Sequence, residues 1–206
     1  MRSLIWKDNT STALVGIGNF TVGKRINDKG QVIGWVQSGG PYNGQPLVKY
    51  DAFWPDPNTI VKLEPPTGYS SVALVALNDL SQVVGSATAP DGTSHAILWQ
   101  SGTPTDLGVF TPQDIDNAGE VLGSTAAGLI LWHDGTIFPL SSLLRGKPGW
   151  EITSVLGMTL QGRIMGIGKH GGQDRAFILT PMHDQAQQDG QDQDQWSGTL
   201  DLHQQL

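Results

Sequence analysis

The side chains that could do chemistry in this 206-residue chain are five histidines, 19 Asp and Glu residues and two glycine-rich loops; cysteine is absent. Without cysteine there is neither a disulfide nor a thiolate metal site. His95, His133, His170, His183 and His203 are scattered, and no two stand at a zinc-ligand spacing such as H-E-x-x-H. Each reads as an edge-strand or turn residue. Gly166-Ile167-Gly168-Lys169-His170-Gly171 matches the G-x-G-x-x-G of a dinucleotide loop. That loop works only where it opens a helix whose N-terminus faces the pyrophosphate. Here a strand-like segment, Arg175 to Leu179, follows instead, so the match reads as a hairpin connection. The stretch "GNFTVGK" (Gly18 to Lys24) approximates a P-loop, but Arg25 stands where the hydroxyl ligand of Mg²⁺ belongs. No G-x-S-x-G nucleophile elbow occurs.

Oxygen-bearing side chains gather in short turns, two at a time, as at Asn78-Asp79 and Asp116-Asn117. A calcium loop supplies more ligands in alternating register, although several turns on one face could jointly hold a cation. A glycosidase would need two carboxyl groups converging at roughly 5–9 Å, a separation set by the fold and not by the sequence. No catalytic, cofactor-binding or metal-ligating residue is therefore assigned, and no cofactor is expected.

The elements that would position any of these residues are written as repeats. One nine-residue phrase occurs four times: "INDKGQVIG" (Ile26 to Gly34), "LNDLSQVVG" (Leu77 to Gly85), "IDNAGEVLG" (Ile115 to Gly123) and "MTLQGRIMG" (Met158 to Gly166). A second, apolar phrase follows each copy, at Trp54, Trp99, Trp132 and Leu179, and a fifth opens the chain at Trp6. Short turns and further apolar segments lie between. Each unit thus reads as four short strands in roughly 40–50 residues, the dimensions of a β-propeller blade. In the first phrase, Asn27-Asp28-Lys29-Gly30 is a hairpin turn, with Gly in the left-handed region. Ser81 replaces that Gly in the second copy, so its turn should be strained or reshaped. The strand after the turn is apolar on both faces, which requires cover on both. Its recurrent Gly would admit close approach by a neighbouring blade, and each Trp would supply buried area between blades.

The balance of 12 basic against 19 acidic residues gives a net charge of −7. No basic footprint for a phosphate backbone is present, which argues against nucleic acid. No apolar run reaches membrane-spanning length, and the N-terminal segment lacks the apolar region of a secretory signal. Residues 182–206 are rich in Gln and Asp and read as a low-complexity, disordered tail; a recognition segment around Trp196 is the functional alternative.

The paired phrases resemble the HAF repeat, through Ile26 to Gly34 and the His-Ala-Ile-Leu-Trp of His95 to Trp99. Residues 140–181 are similar to that family's closing repeat, from "LSSLLRGKPGW" to "RAFILTP". The resemblance implies a bacterial, extracellular or cell-surface protein of propeller-like fold without established activity. Family members carry a signal peptide and more repeats, so the expectation is a C-terminal fragment of a longer secreted repeat protein. The expected fold is all-β, with residues 1–181 forming about four propeller-like units of four strands in a closed small ring or an open arc. Closure would use Ala13 to Gly18 as the final strand of the last unit. The expected function is a non-catalytic binding or scaffold module with a glycan or protein partner. The alternative is a polysaccharide-acting enzyme with an Asp/Glu pair at the propeller mouth.

Overall fold

The computed structural model describes residues 2–18, 20–40, 45–144, 149–183 and 196–204. Strand accounts for 67% of the described residues, arranged as five small antiparallel sheets, and these residues contain no α-helix. The all-β reading therefore holds. The chain divides into two compact units, Met1–Ile115 and Asp116–Leu206.

The first unit opens with a two-stranded sheet, β1 (Leu4–Lys7) and β2 (Thr10–Ala13). Two four-stranded meanders follow: β3 (Phe20–Ile26), β4 (Val32–Gly40), β5 (Gln45–Asp56) and β6 (Thr59–Lys62), then β7 (Ser70–Leu77), β8 (Gln82–Thr88), β9 (Ser94–Gln100) and β10 (Thr103–Gly108). In each meander every strand pairs with its sequence neighbour. The unit ends in β11 (Thr111–Ile115), which packs beside β7 and β8. The nine-residue phrase is the turn between first and second strands, and the Trp phrase is the third strand. β4 is covered on both faces, as its apolar pattern requires. Val32 and Val36 pack with Leu14, Ala52 and Trp54, while Ile33 packs with Leu63, Leu74, Val83, Ile97 and Trp99.

Trp54 and Trp99 are fully buried, and each satisfies its indole N–H in the same way. Trp54 donates to the Val15 carbonyl at 2.8 Å and Trp99 to the Glu64 carbonyl at 2.7 Å. Both acceptors stand two residues beyond the last strand of the preceding sheet. A buried indole needs such a partner, which makes each Trp a positional key as well as apolar bulk.

The recurrent glycine has a different cause from the one its sequence suggests. A Cβ on Gly34 or Gly85 would collide with the carbonyl oxygen of Val22 or Ala73, on the first strand of the same sheet. In both sheets the first strand carries a register shift there, between Gly23 and Arg25 and between Leu74 and Ala76. The bulge presses a carbonyl onto the second strand, so the close approach comes from within the sheet. The Ser81 turn keeps the shape of its glycine counterparts. Ser81 takes φ 63° beside 78° for Gly30, and its hydroxyl accepts from the Gln31 amide at 2.9 Å.

The second unit contains the meander β12 (Val121–Thr125), β13 (Gly128–His133) and β14 (Thr136–Pro139), then a 3₁₀ turn at Leu140–Leu143. A four-stranded sheet follows: β15 (Trp150–Met158), β16 (Ile164–His170), β17 (Gln173–His183) and β18 (Trp196–Gln204). Its core gathers Leu122, Leu131, Leu140, Leu143, Met158, Ile164, Phe177 and Leu179.

Two expectations are corrected here. The segment 182–206 is not a structureless tail throughout, because Trp196–Gln204 pairs antiparallel with β17, Leu202 opposite Leu179 and Leu200 opposite Pro181. Its Gln/Asp-rich composition hides a period-two pattern, Trp196, Gly198, Leu200 and Leu202, that suits an edge strand. Residues 184–195 and 205–206 lie outside the described residues. This strand also fills the place that Ala13 to Gly18 was expected to take. β2 ends at Ala13 and pairs with β1, and the last sheet is completed by β18.

Candidate functional site

The phrase turns bond to themselves and to one another. Asn27 Oδ1 accepts from the Gln31 amide at 2.9 Å, and Asn78 Oδ1 accepts from the amides of Leu80 and Gln82, both at 3.0 Å. The first turn then reaches the second at matching positions. Asn27 Nδ2 donates to the Asn78 carbonyl at 2.8 Å, and the Asp28 amide donates to Asp79 Oδ1 at 3.0 Å. In the second unit the Asn117 amide donates to the Leu160 carbonyl at 2.8 Å, again linking matching positions. The oxygens that resembled cation ligands are thus turned onto backbone amides. Among the described residues, no group of three His, Asp or Glu side chains is placed to hold a metal ion.

The third copy departs chemically from the first two. Asn27 and Asn78 donate to the Oε1 atoms of Gln31 and Gln82, at 2.8 and 2.6 Å. Asp116 and Glu120 occupy the same two places in the third copy. Asp116 Oδ1 still accepts from the amides of Ala118 and Glu120, at 3.0 and 2.8 Å. With both side-chain amides replaced by acids, the two groups can bridge only through a carboxyl proton. Both residues are buried, at 3% and 2% exposure. Burial pushes Asp116 up to about 6 despite the amides of its turn, and burial together with the Asp116 charge pushes Glu120 up to about 8. The pair therefore holds one bridging proton at neutral pH. Glu120 Oε1 also faces His133 Nδ1 at 3.2 Å. The two acids come from one turn and are closed from solvent, so the pair has the place of a structural bridge.

A second cluster runs along the surface of the β7–β10 sheet. His95 Nδ1 lies 2.9 Å from Asp106 Oδ2, and His95 Nε2 lies 3.0 Å from Thr93 Oγ1. The order Asp–His–Thr has the outline of a nucleophile relay. The Thr93 hydroxyl, however, donates to Asp91 Oδ1 at 2.6 Å, which commits its only proton. Tyr69 closes the cluster, donating to Asp106 Oδ2 at 2.6 Å with its ring edge-on to His95. Partial burial opposes ionisation of Asp106, but bonds from Tyr69, Gly108 and His95 outweigh it and hold the carboxyl below its usual value. The bond to Asp106 pushes the Tyr69 phenol up. The cluster is a polar strap across strands.

Tyr69 also ends a polar cleft of about 360 Å³. Its walls are Lys49, Tyr50 and Asp51 of β5, Lys62 at the end of β6, Glu64 two residues beyond it, and Ser70 and Ser71 at the start of β7. The floor is fixed by Asp51, whose Oδ2 accepts from the Leu74 amide at 2.7 Å and from Lys24 at 3.3 Å. Lys62 pairs with Glu64 at 2.7 Å and lies 5.8 Å from the centre of the Tyr50 ring. Ser71 stands at φ 55° within the register shift between Ser70 and Ala73 of β7, whereas the other left-handed non-glycine residues, Asp8, Asn9, Ser81, Ser101 and Asp134, all occupy hairpin turns. The bulge at this point of β7 accounts for that backbone conformation. Sequence reading missed the cleft, since its residues belong to three strands and form no motif. The φ-straining Ser carries no sequence signal either.

The remaining motifs fall where their plainer readings put them. Gly166-Ile167-Gly168-Lys169-His170 belongs to β16, and Gly171-Gly172 turns into β17 without a helix. Val22, Gly23 and Lys24 of the P-loop-like stretch lie within β3. His170 stacks on Trp150 at 5.2 Å. No family model, curated protein or solved structure matches the chain.

Proposed function

We propose that the protein is a non-catalytic β-repeat module that binds a hydroxyl-rich ligand, a glycan foremost, in the cleft between Lys49 and Ser71. The observation that carries this reading is the cleft itself. A volume of about 360 Å³ lies in the range of small-ligand sites and accommodates one or two sugar rings. Two tyrosines offer apolar faces with polar tips, and Lys49, Lys62, Glu64 and the two serines offer donors and acceptors around them.

The consecutive four-stranded meanders and the turn-to-turn bonds support reading the sheets as blades of a propeller-like array of HAF-repeat type. With that reading goes an extracellular or cell-surface setting. The polysaccharide-hydrolase alternative gains nothing from the Asp116–Glu120 pair, which is buried within one turn. A glycan-array screen, run with and without calcium, tests the proposal. Binding that is independent of calcium is expected, because the cleft is walled by cations as well as acids and the turn oxygens are already bonded to amides.

A further inference from the structure

The cleft of about 360 Å³ opens where β6 leaves the edge of β5. Pairing runs from Thr59 opposite Asp56 to Lys62 opposite Ala52 and stops there. The chain then turns away through Leu63, Glu64, Pro65 and Pro66 towards β7, leaving Lys49, Tyr50 and Asp51 beside Ser70 and Ser71. The charges around this opening do not cancel. Asp51 is held by Lys24 at 3.3 Å and by the Leu74 amide at 2.7 Å, and Glu64 is held by Lys62 at 2.7 Å. Lys49 is the cation left over. It is exposed and, among the described residues, pairs with no carboxylate. Trp35 stands opposite Asp51, so Lys49, two residues before Asp51, shares its face of the sheet. The Lys49 ammonium rests over the Trp35 ring, 4.6 Å from its centre. At an exposed site such a contact holds a cation weakly and leaves donors free for a better acceptor.

We propose that the sugar taken by this cleft is anionic, carrying one carboxylate or sulfate ester that pairs with Lys49. The assignment rests on the glycan reading of the cleft and narrows it. The acceptors of the walls are already engaged, Asp51 and Glu64 by their lysines and the Glu64 carbonyl by the Trp99 indole at 2.7 Å. The donors are in excess, with the Lys49 ammonium on one wall and the Ser70 and Ser71 hydroxyls on the other. A neutral sugar brings as many hydroxyl donors as acceptors and leaves that excess unused. A carboxylate or sulfate ester brings acceptors alone and takes the ammonium in a charge-assisted bond. One surplus cation matches one negative charge, and the net charge of −7 on the chain disfavours a more densely charged partner. Movement of Lys49 onto the anion uncovers the Trp35 ring at the mouth of the cleft, where a further sugar ring can stack.

The test is calorimetry on the full chain with oligosaccharides of galacturonate, mannuronate and hyaluronan, the methyl ester of each, and a sulfated galactan oligosaccharide beside its desulfated form. At least one charged probe should bind, and its uncharged counterpart should bind about tenfold more weakly, the effect of losing one charge-assisted hydrogen bond. Lys49→Gln should weaken the charged probe by a similar factor and leave the uncharged one unchanged, while Lys49→Arg retains binding and far-UV circular dichroism stays the same. Added salt should weaken the charged probe alone. Binding confined to the uronates assigns the charge to a carboxylate, and binding confined to the sulfated galactan assigns it to a sulfate ester. An uncharged probe bound as tightly as its charged form, or a charged probe indifferent to Lys49→Gln, overturns the charge assignment; loss of that binding in Tyr69→Ala still keeps the sugar in the cleft. A neutral glycan bound by the wild type on the array while every charged probe fails also overturns the assignment alone. No binding by any glycan, charged or neutral, overturns both the assignment and the reading it rests on.

Discussion

Replacing Glu120 by Gln restores, in the third turn, the side chain that the first two copies use at that place, Gln31 and Gln82. The consequence for stability follows from where the proton sits. Glu120 has an ordinary value of 4.5 and is raised to about 8 in the folded protein. Between those values the folded state holds a proton that the unfolded chain has released. Stability therefore falls as pH rises, by about 1.4 kcal/mol per unit, with the contribution intact below the unfolded value and lost above the folded one. Allowing for the flattening near pH 8, the fall between pH 6 and pH 8 is about 2 kcal/mol. For a chain of this size that corresponds to a drop in melting temperature of roughly 4–8 °C. Gln cannot titrate, so in Glu120→Gln only Asp116, raised to about 6, still titrates; the fall above pH 7 should largely disappear and the variant should overtake the wild type at pH 8. Urea unfolding of both proteins across that range is the assay. Besides Asp116, the His133 imidazole faces Glu120, so His133→Asn is measured in parallel. A slope between pH 7 and pH 8 that survives in Glu120→Gln, or that vanishes in His133→Asn, would refute the assignment of the proton to the carboxyl pair.

Two further substitutions probe the sheets. Gly34→Ala forces a Cβ against the Val22 carbonyl and should destabilise by about 2–3 kcal/mol. Gly30→Ala meets open space at φ 78° and should cost only about 1–2 kcal/mol; the reverse order in denaturant unfolding would count against the bulge as the reason for glycine. Trp54→Ala removes a fully buried indole and its bond to Val15, for about 3–5 kcal/mol, whereas Trp6→Ala should stay within about 0.5 kcal/mol. A comparable cost at Trp6 would mean that β1 is already covered in the free protein.

What was legible in the sequence was the local part of the fold. Asn27 to Gly30 and its three partners announce turns because their geometry depends on side-chain oxygens and left-handed φ, which are properties of single residues. The double cover of Val32 and Ile33 was legible for the same reason, as a run of apolar residues on both strand faces. The cause of Gly34 was not, since a bulge on β3 changes what stands opposite it and bulges leave no fixed signature. Composition concealed β18, where Leu200 and Leu202 alternate within a polar stretch whose pairing depends on an edge offered by β17. The Asp116–Glu120 pair could be found by aligning the four phrases, yet its meaning comes from burial, which the alignment does not contain. His95 and Asp106 meet across a hairpin, and the cleft of Tyr50, Lys62 and Ser71 draws on three strands. Neither has a spacing that chemistry would prefer in advance.

Whether the cleft binds its ligand is tested most directly by a glycan array probed with four proteins: wild type, Tyr69→Ala, Lys62→Ala and, outside the cleft, Trp6→Ala. The expected result is a defined set of glycans bound by wild type and Trp6→Ala and lost in both cleft variants, with the unfolding curves of all four intact. No glycan bound by the wild type, or the same glycans bound equally by the cleft variants, would contradict a binding function at this site.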